Sequence, residues 1–102
     1  MNTAIKVIID ADFEDIIPGF LENRKQDIKA IQALIPAKDY NAIRKIGHRM
    51  KGAGSSYGLD FVSFVGKDIE AAAKAGSSPD ILLQLKMLAD FLNRVQIQFV
   101  RT

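Results

Sequence analysis

Four stretches of this chain repeat apolar residues at helical spacing, the first three closed by stop signals of their own, and that repetition leaves few folds open. The sharpest stop is Gly76-Ser77-Ser78-Pro79-Asp80, which offers a glycine to end one helix, a serine to cap the next and a proline for the first helical position. It divides a third helix, from about Asp60 to Ala75 with Phe61, Val65, Ile69 and Ala72 or Ala73 inward, from a fourth carrying Leu82, Leu85, Leu88, Ala89 and Leu92. Upstream, Ile17, Leu21, Ile28, Ile31 and Ile35 follow near-heptad spacing. They predict a first helix from about Pro18 to Ile35, with Pro18 tolerated in its opening turn and Pro36 closing it. Arg24 falls on the same seam and is expected to lay its stem along the core with its guanidinium in water. Asp39 suits the N-cap of a second helix whose inward stripe is Ile43, Ile46, Met50, Ala53 and Tyr57, and Gly58 suits the left-handed residue that ends it. Four amphipathic helices joined by short loops predict an all-α fold, an antiparallel up-and-down four-helix bundle.

The two ends break the pattern. Ile5-Lys-Val7-Ile-Ile9 and Val95-Gln-Ile97-Gln-Phe99 alternate with a period near two, which is a strand signal. In an up-and-down bundle both segments lie at one end of the molecule, one arriving and the other departing. They are expected to pair as a small antiparallel ribbon; a continued fourth helix with a frayed N-terminus is the other reading.

With 102 residues, 48% of them hydrophobic, residues 1–102 make one domain that buries its own core. The chain has no cysteine, which excludes a disulfide framework and a thiolate metal site and suits a reducing, cytoplasmic setting. Its start is not that of a signal peptide, and no apolar run approaches the ~20 residues of a membrane span. A net charge of +2, from 14 basic and 12 acidic residues scattered along the sequence, is too weak a field to argue nucleic-acid binding. A monomer with neither a nucleic-acid nor a membrane partner is expected.

His48 is the only histidine, in the run Ile46-Gly-His48-Arg-Met-Lys51-Gly52-Ala-Gly-Ser55-Ser-Tyr-Gly58. It is the one side chain whose unperturbed pKa lies near neutrality and whose ring nitrogen is a nucleophile at pH 7. On a wheel of about 100° per residue the inward stripe of the second helix spans about 80°, and His48 and Ser55 fall opposite its centre. Arg44, Lys45, Lys51 and Gly52 flank them. His48 is therefore expected to face water on a basic, glycine-rich face. Gly52, one turn from His48, leaves a notch where a macromolecule can approach the imidazole, whereas Gly47 and Gly54 suit close helix packing. There is no second histidine for a metal site and no glycine-rich nucleotide loop. Ser55 lacks the oriented third group and oxyanion donors that acyl transfer requires, and no concave small-molecule pocket is expected on this convex face. An exposed nucleophile so equipped works when a partner brings the rest of the active site.

The pattern His48-x-x-Lys51-Gly52, followed by a small polar stretch and Gly58, resembles the signature of histidine-containing phosphotransfer (HPt) domains. Ile17-Pro18-Gly-Phe20-Leu21-Glu-Asn-Arg is similar to the first helix of that family, and Gly66-Lys-Asp-Ile-Glu70-Ala-Ala-Ala-Lys74-Ala-Gly76 to its third. The resemblance covers residues 13–93 and leaves 1–12 and 94–102 as terminal extensions, which could be trimmed ends of a longer signalling protein. It implies a phosphorelay protein or domain in which a phosphoryl group passes between the aspartate of a response-regulator receiver domain and Nε2 of His48. It also implies that Lys51 stabilises the phosphoryl oxygens and that Gly52 admits the receiver, with Arg44, Lys45 and Ser55 on the same docking face. The receiver, or a hybrid sensor kinase carrying one, would bring its own aspartate, lysine and Mg²⁺. No cofactor or metal is then expected on this chain, which would be a phosphoryl carrier without autonomous kinase activity. Gly47 and Arg49 stand where the family often has alanine and an uncharged residue, and neither removes a required group. Two other readings are a non-catalytic helical module whose basic face binds an acidic partner, and a dimerising histidine-kinase domain. Against the kinase, His48 is followed by Arg49 rather than an acidic residue, and no ATP-binding half is present.

Overall fold

The computed structural model describes residues 3–101. In chain order the elements are β1 (Ile5–Asp10), a 3-10 turn (Ala11–Phe13), α1 (Ile17–Leu34), α2 (Tyr40–Ser56), α3 (Asp60–Lys74), α4 (Ser78–Arg94) and β2 (Val95–Val100). The helix boundaries follow local chemistry. Asp39 caps α2 by accepting from the Ala42 amide at 3.1 Å, and Gly58 and Gly76 adopt φ of +81° and +64° just beyond α2 and α3. The cap of α4 is Ser77, not Ser78: its Oγ accepts from the Asp80 amide at 3.4 Å, which places Pro79 second in the helix. Ser78 Oγ instead pairs with the Tyr40 hydroxyl at 2.7 Å and ties α4 to the start of α2.

Each helix packs on the next, and α4 closes the ring on α1. The core is Ile17, Phe20 and Ile31 from α1, Ile43, Ile46 and Met50 from α2, Val62, Val65 and Ile69 from α3, and Ile81, Leu85, Leu88 and Phe91 from α4. Leu82 departs from its expected inward place: it is 50% exposed, and Ile81 one position earlier takes the buried stripe. A run of three apolar residues, Ile81-Leu82-Leu83, can be phased two ways on a wheel, and the short loop after Gly76 sets the phase. Arg24 departs as well. Its side chain is 13% exposed, with Nε 2.9 Å from Asp27 Oδ2 and the guanidinium carbon 4.5 Å above the Phe20 ring, so the head group is held against the protein instead of water. Burial pushes the Asp27 carboxyl above its ordinary range, opposed by the charges of Arg24 and Arg49.

The terminal segments do pair, but β1 and β2 are parallel, with Ile5 beside Val95 and Asp10 beside Val100. The antiparallel expectation assumed that the first segment runs straight into α1. Between them lie six residues whose 3-10 turn is capped by Asp10, accepting from the Asp12 amide at 2.9 Å, and continued by Glu14 and Ile16 amides bonding Ala11 and Phe13 carbonyls. That turn supplies the extra chain reversal a parallel pair needs. Alternation then works as expected: Ile5, Val7, Val95, Ile97 and Phe99 pack on the core and Ile9 is buried in it, while Lys6, Ile8, Gln96 and Gln98 face outward. Of the extensions 1–12 and 94–102, residues 3–12 and 94–101 are thus part of the folded unit, and residues 1, 2 and 102 lie outside the described residues. Among the described residues no helix is long and apolar enough to cross a membrane.

Candidate functional site

The site is built on the seam between α2 and α3, and glycine sets its dimensions. A Cβ on Gly47 would stand 2.8 Å from the Glu70 amide nitrogen and 2.9 Å from the Gly66 carbonyl oxygen. One on Gly66 would stand 2.5 Å from the Lys51 nitrogen, and one on Gly54 would stand 2.6 Å from the Ser63 nitrogen. The two helices therefore meet backbone to backbone along about two turns of α2. Ser63 exploits the approach. Its Oγ donates to the Lys51 carbonyl at 2.7 Å and accepts from the Ser55 amide at 2.6 Å, bridging the two ends of one turn of α2.

This closeness brings a carboxylate to the histidine. Glu70, buried on α3 with its side chain 11% exposed, lies beneath both His48 and Lys51. The Nδ1–H of His48 donates to Glu70 Oε2 at 2.9 Å, and Lys51 Nζ donates to Glu70 Oε1 at 3.1 Å. An ionised carboxylate only accepts, so the bond fixes the proton on Nδ1 and leaves the lone pair of the neutral ring on Nε2. The His48 side chain is 63% exposed. The Lys51 hydrogen bond holds the Glu70 carboxyl below its ordinary value of 4.5; burial opposes this, and the His48 hydrogen bond reinforces it. Glu70 thus remains charged at neutral pH beneath an otherwise solvent-facing imidazole.

The remaining candidate residues surround this pair unevenly. Space around Gly52 is open, with nothing within 4 Å of where a Cβ would stand. Arg44, Lys45 and Arg49 line an open groove of about 540 Å³ together with His48, Ala42 and Ile46. The expectation of no concavity on this face is corrected here: long cationic side chains rise from the convex helix and wall in a small apolar floor. Arg44 is steadied by the Asn41 side chain at 3.1 Å. Ser55 is exposed but does not line the groove. Among the described residues no group of three or more His, Cys, Asp or Glu side chains is placed to hold a metal.

Sequence reasoning missed Glu70 as a site residue and Ser63 as its neighbour's support. The available signal was Gly66: a glycine inside a helix, opposite a glycine-bearing partner helix, marks a close approach, and Glu70 lies one turn beyond it. Against known proteins, the family model for the Hpt domain matches residues 15–98. No curated protein and no solved structure matches the chain.

Proposed function

The chain belongs to the Hpt domain family, and from that premise we propose that it carries phosphoryl groups on Nε2 of His48, taking them from and returning them to the aspartate of a response-regulator receiver domain. Histidine phosphotransfer with receiver domains and kinases in phosphorelays is the activity of the family. The observation that carries the assignment to this residue is the Glu70 bond, which holds the ring by Nδ1 and leaves Nε2 outward.

In the forward step the Nε2 lone pair attacks the phosphorus of the receiver's aspartyl phosphate. The N–P bond forms as the P–O bond to the aspartate breaks, and the aspartate leaves as a carboxylate. Positive charge develops on the imidazole during attack, and the Glu70 carboxylate at Nδ1 is already in place to stabilise it. Lys51 neutralises Glu70 at rest and offers an ammonium to incoming phosphoryl oxygens, while the receiver contributes its own Mg²⁺ and lysine. Transfer of this kind is largely positioning and charge neutralisation, so a donor face this simple suffices against a preorganised partner. The notch at Gly52 and the cations Arg44 and Lys45 form the docking face, with Ser55 at its edge. A carrier in the cytoplasm, without kinase activity of its own, completes the reading.

The test is transfer of radiolabel from a phosphorylated receiver. Label should appear on His48 alone, be acid-labile and base-stable, and vanish in His48→Gln. Acid-stable label, or label surviving that substitution, overturns the assignment; signalling that persists in His48→Gln favours a purely non-catalytic docking module.

A further inference from the structure

The sheet formed by β1 and β2 has only two strands, too few to be stable without support, and both of its outer edges are open. Among the described residues, the Val95 amide donates to the Phe91 carbonyl at the end of α4, and no other backbone hydrogen bond besides the β1–β2 ladder is made by residues 5–9 or 96–100 with turns, loops or caps. An unpaired edge is a template for another strand, and proteins usually shorten, cover or charge it. Here the edge strand β1 carries instead an exposed isoleucine at its centre. Ile8 is 64% exposed, as exposed as any large apolar side chain among the described residues, with Lys6 and Asp10 two residues to either side on the same face.

That spacing is self-complementary. If two β1 strands pair antiparallel about a two-fold axis through Ile8, Ile8 faces Ile8, Lys6 faces Asp10, and Asp10 faces Lys6, while Val7 faces Ile9 on the inner side. Apolar meets apolar and opposite charges sit directly across, which is favourable for cross-strand neighbours. Shifting the sum of paired residue numbers by two in either direction places Ile8 opposite a charge. Shifting it by one sets outer residues against inner ones and would put the two bundles on opposite faces of the sheet. The β2 edge has no such pattern, since its outward residues are Gln96 and Gln98.

We propose that the β1 edge is an interaction surface for a second copy of this chain, giving a two-fold dimer with a continuous four-stranded sheet in the order β2-β1-β1-β2. It replaces the expectation of a monomer and is independent of the phosphotransfer chemistry, because none of the His48, Lys51 or Glu70 contacts lies on β1. Asp10 keeps its cap on the 3-10 turn in this arrangement.

Sedimentation velocity over a concentration series tests the association, and cysteine cross-linking tests the register. The wild type should show a concentration-dependent dimer with a dissociation constant tighter than about 1 mM. Ile8→Lys should sediment as a monomer with its melting temperature unchanged, because the side chain contributes little to its own core. The chain has no cysteine, so Ile8→Cys should form a disulfide-linked dimer under mild oxidation, whereas Phe64→Cys, equally exposed on α3, and Gln98→Cys on β2 should not. A wild type monomeric up to that concentration overturns the proposal. So does an Ile8→Lys protein that still dimerises, or equal cross-linking at residues 8 and 98.

Discussion

The α2–α3 seam and the α1–α4 seam solve the same packing problem in opposite ways. Across α2–α3, Gly47, Gly54 and Gly66 let the helix backbones touch. Between α1 and α4 an open crevice of about 230 Å³ remains, lined by Ile28, Gln32, Ala89 and Leu92 among others. The difference follows from what each seam must hold. A carboxylate on one helix reaches an imidazole and an ammonium on the other only if the axes approach closely, whereas among the described residues no ion pair joins α1 to α4. The tight seam should therefore be intolerant of a single methyl group and the loose one indifferent to several.

The largest effect that tests this contrast is at Gly66. In Gly66→Ala the added Cβ would meet the Lys51 backbone, and overpacking against backbone costs on the order of 1–3 kcal/mol, more than the ~1 kcal/mol gained in helix propensity. Thermal unfolding should show that loss, and transfer should fall with it as Glu70 moves from His48. Ala89→Met, which adds more volume on the loose seam, should change stability by less than about 0.5 kcal/mol. Equal destabilisation by the two would remove the distinction between the seams.

Lys51→Ala comes next. Transfer should slow by about 10–100-fold, which corresponds to roughly 1.4–2.8 kcal/mol of transition-state stabilisation, with a smaller fall in melting temperature than Gly66→Ala because only the partly exposed partner of Glu70 is lost. Parallel loss of rate and stability would assign Lys51 to holding the seam through Glu70.

Glu70→Gln separates charge from shape and should slow transfer at neutral pH by roughly 3–10-fold, since the amide still accepts from Nδ1 but cannot offset the charge developing on the ring. It also carries a pH signature. The folded pKa of Glu70 lies below its ordinary value of 4.5, chiefly through the Lys51 hydrogen bond. Its carboxylate therefore stabilises the fold above that value, and the contribution is lost as pH falls through the lowered folded pKa. Chemical denaturation from pH 6 downward should show a shallower acid loss for Glu70→Gln than for the wild type; parallel curves would mean the ion pair contributes nothing to folding.

The bundle was legible because helix periodicity and stops are local: Gly58, Gly76 and the Asp39 cap act within a few residues of themselves. His48, Lys51 and Gly52 were legible for the same reason, as all three lie on one turn of one helix. Glu70 was not, because its place beside His48 depends on the register of α3 against α2, which Gly47 and Gly66 set jointly. The direction of the terminal sheet escaped on similar grounds: alternation reveals strands, but parallel or antiparallel pairing was decided by the 3-10 turn between β1 and α1. Leu82 was misplaced where a run of apolar residues left the helix phase to the tertiary contacts.

The smallest expected effect, and the one most specific to docking, is at Gly52. Unlike Gly66, it has nothing within 4 Å of where a Cβ would stand, so the same glycine-to-alanine change that damages the tight seam should here stabilise α2 by up to ~1 kcal/mol. A longer side chain would fill the space beside His48 and obstruct a receiver without touching the core. Gly52→Gln should thus unfold at or above the wild-type temperature while taking label more slowly from a phosphorylated receiver, and phosphorylation by a small-molecule donor serves as the control for an intact imidazole. Transfer at the wild-type rate, or equal loss with both donors, would show that the open space at Gly52 is not where the partner sits.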